Sequence, residues 1–211
     1  MTRQLIYVFD PLCGWCYGFS PVISALHAKY GAEIPFEIYS GGMVTGDRVQ
    51  PVAAMAGYIK GAYQRVEALS GVTFGQGYLD MLDAGTYISN SAPPSAAIQV
   101  ARTLDPARVI PFAHDLQQAM FVRGQDLNDP DTYRQLALTY GWDPEDFVTQ
   151  WQSVEIQHRT QAEFEMVAGW GVSGFPTLLY AENEQLFLVA NGFRSQQDLE
   201  PVMQQILART A

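Results

Sequence analysis

Both cysteines of this 211-residue chain lie in one short stretch, Cys13-Gly14-Trp15-Cys16. Two thiols at that spacing can pass a pair of electrons to or from a second pair of sulfurs. The stretch follows an apolar run, Leu5-Ile6-Tyr7-Val8-Phe9, and precedes apolar residues at helical spacing. A helix N-terminus presents unpaired N–H groups and a partial positive charge, and both favour a thiolate over a thiol. Cys13, the outer residue, is therefore expected to be the nucleophile. Cys16, one turn inside, is expected to be the resolving thiol that attacks the mixed disulfide and frees the substrate. Two plainer uses compete. A closed zinc site wants four N/S ligands, and His27, His114 and His158 supply no pair at ligand spacing. A structural disulfide across so short a loop would constrain little of the unfolded chain.

The elements around the pair can be read from periodicity. Leu5 to Phe9 are apolar without alternation, as in a strand buried on both faces. Phe19, Val22, Ile23, Leu26 and Tyr30 keep helical spacing up to Gly31, with Pro21 expected to kink the helix or divide it. Pro35 to Tyr39 reads as a second strand, broken at Ser40-Gly41-Gly42. This makes a β-α-β unit with the thiols at the carboxyl end of its first strand, where open α/β sheets place their chemistry. From about Asp47 to Trp170 the pattern is helical throughout. Val52, Met55, Ile59, Tyr63, Val66 and Leu69 form one apolar stripe ending at Gly71, and a shorter one runs through Phe74, Tyr78 and Met81. Asp105-Pro106, Asp129-Pro130 and Asp143-Pro144 each read as an N-cap with proline at the first helical position. Strands return at Pro176–Tyr180 and Gln185–Ala190, close enough to imply an antiparallel hairpin, and a closing helix carries Leu199, Val202, Met203, Ile206 and Leu207.

Composition narrows the setting. Nearly half the residues are apolar, which is enough for a large core, and the net charge is −10. That balance argues against nucleic acid and against anionic membrane surfaces as partners. Met1-Thr2-Arg3-Gln4 runs straight into the first strand with no secretory pattern, and no apolar run approaches a membrane span. A chain complete as it stands is expected in the cytoplasm, where a lone cysteine pair is more often catalytic than structural. Nothing in the composition fixes an oligomeric state.

The order β-α-β, then β-β-α, with Cys-x-x-Cys after the first strand, resembles the thioredoxin fold. A long helical insertion between the halves is similar to the DsbA family of thiol-disulfide oxidoreductases. The wording Phe9-Asp10-Pro11-Leu12-Cys13-Gly14-Trp15-Cys16-Tyr17-Gly18-Phe19 looks like the FrnE-like and cytoplasmic branches of that family. The resemblance implies an α/β thioredoxin-like domain from residues 1–46 and 172–211, with a helical insertion at 47–171. It implies a cis-proline loop facing the thiols, matched here by Gly174-Phe175-Pro176-Thr177. Catalysis then falls to Cys13 and Cys16, and substrate binding to Gly14, Trp15, Phe175, Pro176 and Thr177. Trp15 would offer an apolar face to a peptide or aromatic ligand. Asp10, if its carboxylate faces the sulfur, would hold the thiol protonated and make the pair less oxidising. Protein or low-molecular-weight thiols are the implied partners. No metal or organic cofactor is called for, and glutathione enters as a co-substrate.

Other patterns point less far. Gly169-x-Gly171-x-x-Gly174 matches the dinucleotide fingerprint in letters, but it follows a helix and precedes a strand, the reverse of the required order. It reads as a link back to the sheet. Gly57-x-x-x-Gly61 reads as a site of close helix packing, and the Met and Trp residues read mostly as core. Two alternatives on the same fold stand beside dithiol exchange. One is a glutathione-dependent transferase or isomerase, which uses a single hydroxyl or thiol and has no need of Cys16. The other is a non-catalytic protease adaptor.

Overall fold

The computed structural model describes residues 3–208. Of the N-terminal reading, Met1 and Thr2 lie outside the described residues. The apolar run forms strand β1, Arg3–Phe9, whose residues from Leu5 onward are buried. Leu5, Tyr7 and Phe9 face the main core, while Ile6 and Val8 join Val167 and Leu179 on the other side of the sheet. Two covered faces explain why the sequence shows no alternation here.

Helix α1, Gly14–Tyr30, leads into β2, Phe36–Ser40, which pairs parallel to β1. Pro21 sits inside an uninterrupted α1, so the expected division at that residue does not occur. Far along the chain, β5, Thr177–Glu182, returns antiparallel to β1. It turns at Asn183 and Glu184, both at positive φ, into β6, Gln185–Asn191. Two successive left-handed residues are what a tight two-residue hairpin demands. The sheet order is β2-β1-β5-β6, which places β1 in its interior.

Between β2 and β5 the chain is mainly helical: α2 (Ala53–Ser70), α3 (Gln76–Ala84), α4 (Ala92–Leu104), α5 (Val109–Phe121), α6 (Pro130–Thr139), α7 (Pro144–Trp151) and α8 (Val154–Gly169). The expectation of helices throughout needs one correction. Two short strands, β3 (Gln50–Pro51) and β4 (Ile88–Ser89), pair antiparallel and clip the start of α2 to the segment ahead of α4. Strands of two residues are too short for alternation to show in a sequence. A second correction concerns Gly57 and Gly61. A Cβ added at either would meet nothing within 4 Å, so these glycines face solvent rather than a packed neighbour. The chain's last described element, α9 (Gln196–Ala208), packs against α1.

The helices are tied to α1 next to the thiols. Tyr17 stacks on Phe121 at 5.0 Å between ring centroids and meets Phe74 edge-on at 5.2 Å. Its hydroxyl donates to the Thr73 carbonyl at 2.9 Å. Rings of this size bury large areas at fixed geometry, so α1 and the helical segment hold a defined gap between them. No helix of the described residues is long and apolar enough to cross a membrane.

Candidate active site

Cys13 is the N-cap residue of α1, in extended conformation at φ −83° and ψ 113°. Its Sγ accepts the backbone N–H of Cys16 at 3.3 Å. An N-cap side chain meets the free amides of the first turn, where the helix is positive. Negative charge building on this sulfur therefore faces a donor that needs no reorganisation. From the opposite side the Phe175 carbonyl lies 3.6 Å from Sγ and accepts from the thiol. The Phe175–Pro176 peptide bond is cis.

The two thiols differ in environment. Cys13 is 6 % exposed at the edge of a cleft, whereas Cys16 is fully buried. Burial pushes the Cys16 thiol well above its ordinary value, and the neighbouring Cys13 pushes it the same way. Cys16 therefore waits as a protonated thiol until a bond forms at Cys13. Tyr7, completely buried under the pair, directs its hydroxyl to the Cys16 carbonyl at 3.4 Å. Burial raises the Tyr7 hydroxyl and keeps it a donor.

Asp10 turns its carboxylate toward three donors. Oδ1 accepts from Leu12 N–H at 2.9 Å and from Ser91 Oγ at 3.0 Å, and Oδ2 accepts from Met43 N–H at 2.7 Å. The carboxylate thus staples the thiol loop to the chain after β2 and to the start of α4. Burial pushes its carboxyl up to about 6, against the lowering pull of those donors and of Arg48. A folded value above the unfolded one means the associated stability is present below the unfolded value and lost as pH rises through about 6. Relative to Asp10→Asn, the wild type is therefore expected to lose about 2 kcal/mol of unfolding free energy between about pH 4 and pH 7. Urea titrations of both proteins across that range read the change. A difference independent of pH would show that Asp10 does not titrate there.

The cleft beside Cys13 has a volume of about 440 Å³. Leu12, Gly14, Trp15 and Phe175 line it on the thiol side, and Met55, Ile59 and Tyr63 of α2 on the other. The apolar stripe of α2 is not buried throughout: Met55 is 47 % exposed, and the stripe forms the second wall of the cleft. Periodicity finds an apolar face but not what the face looks at. Of the residues expected to bind substrate, Gly14, Trp15 and Phe175 border this space. Pro176 and Thr177 are buried at the start of β5, and Thr177 Oγ1 donates to the Gly174 carbonyl at 2.8 Å. Trp15 also leans on Phe193, with ring centroids 6.3 Å apart. The three-donor setting of Asp10 and the presence of Arg48 at the cleft were not legible in the sequence, because their partners are distant along the chain. Among the described residues no group of three or more His, Cys, Asp or Glu could hold a metal ion.

Known proteins share this fold. A candidate protein disulfide isomerase from Nitrosomonas europaea superposes with a TM-score of 0.87 at 27% identity, covering 100% of both chains. The cytosolic disulfide reductase DsbM from Pseudomonas aeruginosa gives 0.83 at 28% identity, over 99% of this chain and 100% of that one. DsbM has also been solved with GSH, and that structure superposes with a TM-score of 0.80 at 27% identity, over 97% of this chain and 99% of that one. Among curated proteins, the ClpXP adapter protein SpxH of Bacillus subtilis is 22% identical over 182 residues, which are 83% of this chain and 57% of that protein's length. Residues 4–204 match the DSBA-like thioredoxin domain, and this chain belongs to that family.

Proposed function

We propose that the chain is a thiol-disulfide oxidoreductase working in the reducing direction on protein or low-molecular-weight disulfides. The Cys13 thiolate attacks one sulfur of the substrate disulfide, forms a mixed disulfide and releases the other sulfur as a thiolate that takes up a proton. Cys16 then loses its proton and attacks Cys13 Sγ, releasing the second substrate thiol. The substrate gains two electrons, and the protein is left with a Cys13–Cys16 disulfide. A low-molecular-weight thiol of the glutathione type returns the two electrons, its own oxidised form being the disulfide. Gly14, Trp15 and Phe175 border the reacting sulfur, with Pro176 and Thr177 holding Phe175 from behind. The helical segment, residues 47–171, supplies the facing wall.

The observation that carries this reading is the asymmetry of the pair: Cys13 capping a helix at an open cleft, Cys16 sealed beneath it. The direction rests on Cys16. A second sulfur that burial holds as a thiol gains nothing from ionising, so the reduced pair lacks the thiolate stabilisation that makes a dithiol couple strongly oxidising, and donation is favoured over acceptance. The cytosolic reductase among the similar structures is in line with it, and a cytosolic setting suits a donor of electrons. The adapter similarity is fainter and spans little more than half of that protein. An adaptor would have no use for a buried second thiol. Equilibration against glutathione buffers tests the proposal. The expected reduction potential is near thioredoxin's, about −270 mV, and far below the roughly −120 mV of periplasmic oxidants. A value near the latter reverses the direction, and no reversible disulfide at all removes the function.

A further inference from the structure

The cleft is almost wholly apolar, yet one formal charge stands at its solvent-exposed rim. Among the described lining residues, Arg48 is the only one that carries a charge, and it is a cation in a chain of net charge −10. Its guanidinium has no carboxylate in salt-bridge reach among the described residues. Nη2 donates to the Gly42 carbonyl at 3.2 Å and to Thr45 Oγ1 at 3.4 Å. Nε and Nη1 find no acceptor among the described residues. Six other cations, Lys29, Lys60, Arg102, Arg108, Arg134 and Arg159, are each paired with a carboxylate. The two contacts of Nη2 fix the side chain to the turn after β2, so the fork is held in place while two of its donor groups remain free. Nε and Nη1 lie apart on the guanidinium, so each can offer a carboxylate one charge-assisted hydrogen bond.

We propose that the cleft is a binding site for small organic disulfides with an apolar body and a carboxylate, the body lying against Met55, Ile59 and Tyr63 and the carboxylate on Arg48. The inference rests on the redox reading and adds the chemical class of substrate to it. A volume of about 440 Å³ falls in the range of small-ligand pockets, about 300–1,000 Å³. Apolar walls with a few placed polar groups are how such pockets combine affinity with orientation. With the acid on Arg48, the ligand's disulfide is presented to Cys13, the only thiol among the described lining residues. Exchange then runs as above: Cys13–S–S–R forms, R–S⁻ leaves, and Cys16 displaces the second R–S⁻.

The test uses the reduced full-length protein in a single turnover with two aromatic disulfides. One is the disulfide of thionitrobenzoic acid, a dianion; the other is dithiodipyridine, which is neutral. The readout is the ratio of their second-order rate constants at fixed ionic strength. A ratio cancels any general effect of Arg48 on folding or on the nucleophile. Arg48→Gln is expected to lower the dianion-to-neutral ratio about tenfold, as loss of one charge-assisted contact would. Arg48→Lys is expected to keep most of the ratio, because the charge stays. An unchanged ratio in Arg48→Gln, or equal slowing with both probes, overturns the assignment and points to a neutral or peptide substrate. If the wild type reacts with neither disulfide, it is the redox reading itself that fails.

Discussion

Cys16→Ser is expected to stop the reaction halfway, with a mixed disulfide accumulating on Cys13, whereas Cys13→Ser is expected to give neither adduct nor turnover. The difference follows from exposure. A substrate disulfide can reach Cys13 at the cleft edge but not the fully buried Cys16. With Cys13 replaced, the remaining thiol is sealed and held protonated by its surroundings, so no thiolate is left to attack. With Cys16 replaced, the donor to Cys13 Sγ survives, because it is the backbone N–H of residue 16. The first attack therefore proceeds and the second has no nucleophile. Mass spectrometry after exposure to a small disulfide should show one substrate thiol added to Cys16→Ser and none to Cys13→Ser. Insulin reduction should fall to background in both variants. Full activity in either, or an adduct only on Cys13→Ser, would refute the assignment of roles.

What the sequence made legible was local. The buried strand, the thiol pair at a helix start and the aspartate caps all declare themselves within a few residues. Asp129 and Asp143 accept from the backbone amides of their first turns as expected. Asp105 caps a short 3₁₀ turn that runs into α5 rather than α5 itself. What stayed hidden depends on distant partners. Asp10 takes one donor from Leu12, but the other two come from Met43 and Ser91, and nothing around residue 10 announces them. Gly41 reads only as a strand breaker. In the fold it leaves room for the Phe175 ring, since an added Cβ would lie 2.0 Å from it. The proline loop can approach β2, and the Phe175 carbonyl can reach Cys13, because position 41 has no side chain. The α2 stripe was visible, but its role as a cleft wall was not.

The same end of β2 carries the largest expected loss of stability. Glu163 of α8 is buried, with 4 % of its side chain exposed, and pairs with Arg102 of α4 at 2.7 Å. Its Oε1 accepts the Ser40 N–H at 2.7 Å, and Oε2 accepts from Gln99 Nε2 at 2.6 Å. Arg102 in turn donates to the Ile38 carbonyl and lies over the Tyr39 ring at 5.0 Å. One carboxylate thus satisfies an amide of β2, which lies at the edge of the sheet, an amide of α4 and a guanidinium. Glu163→Ala strands the Ser40 and Gln99 donors in a space water enters poorly and leaves the Arg102 charge without its carboxylate, and removing one partner of a buried pair costs about 3–5 kcal/mol. Arg102 keeps 21 % of its side chain exposed, so its charge recovers some hydration and the lower end, about 3 kcal/mol, is the expected loss. For a chain of this length that is a fall of roughly 6–12 °C in Tm. Arg102→Ala should cost less than Glu163→Ala, because the arginine is the more hydrated partner and Ser40 N–H keeps its acceptor. Thermal and urea unfolding of both variants decide it. Equal losses would mean the Ser40 contact contributes nothing, and a negligible loss in Glu163→Ala would mean that the pair does not hold β2 against the helices.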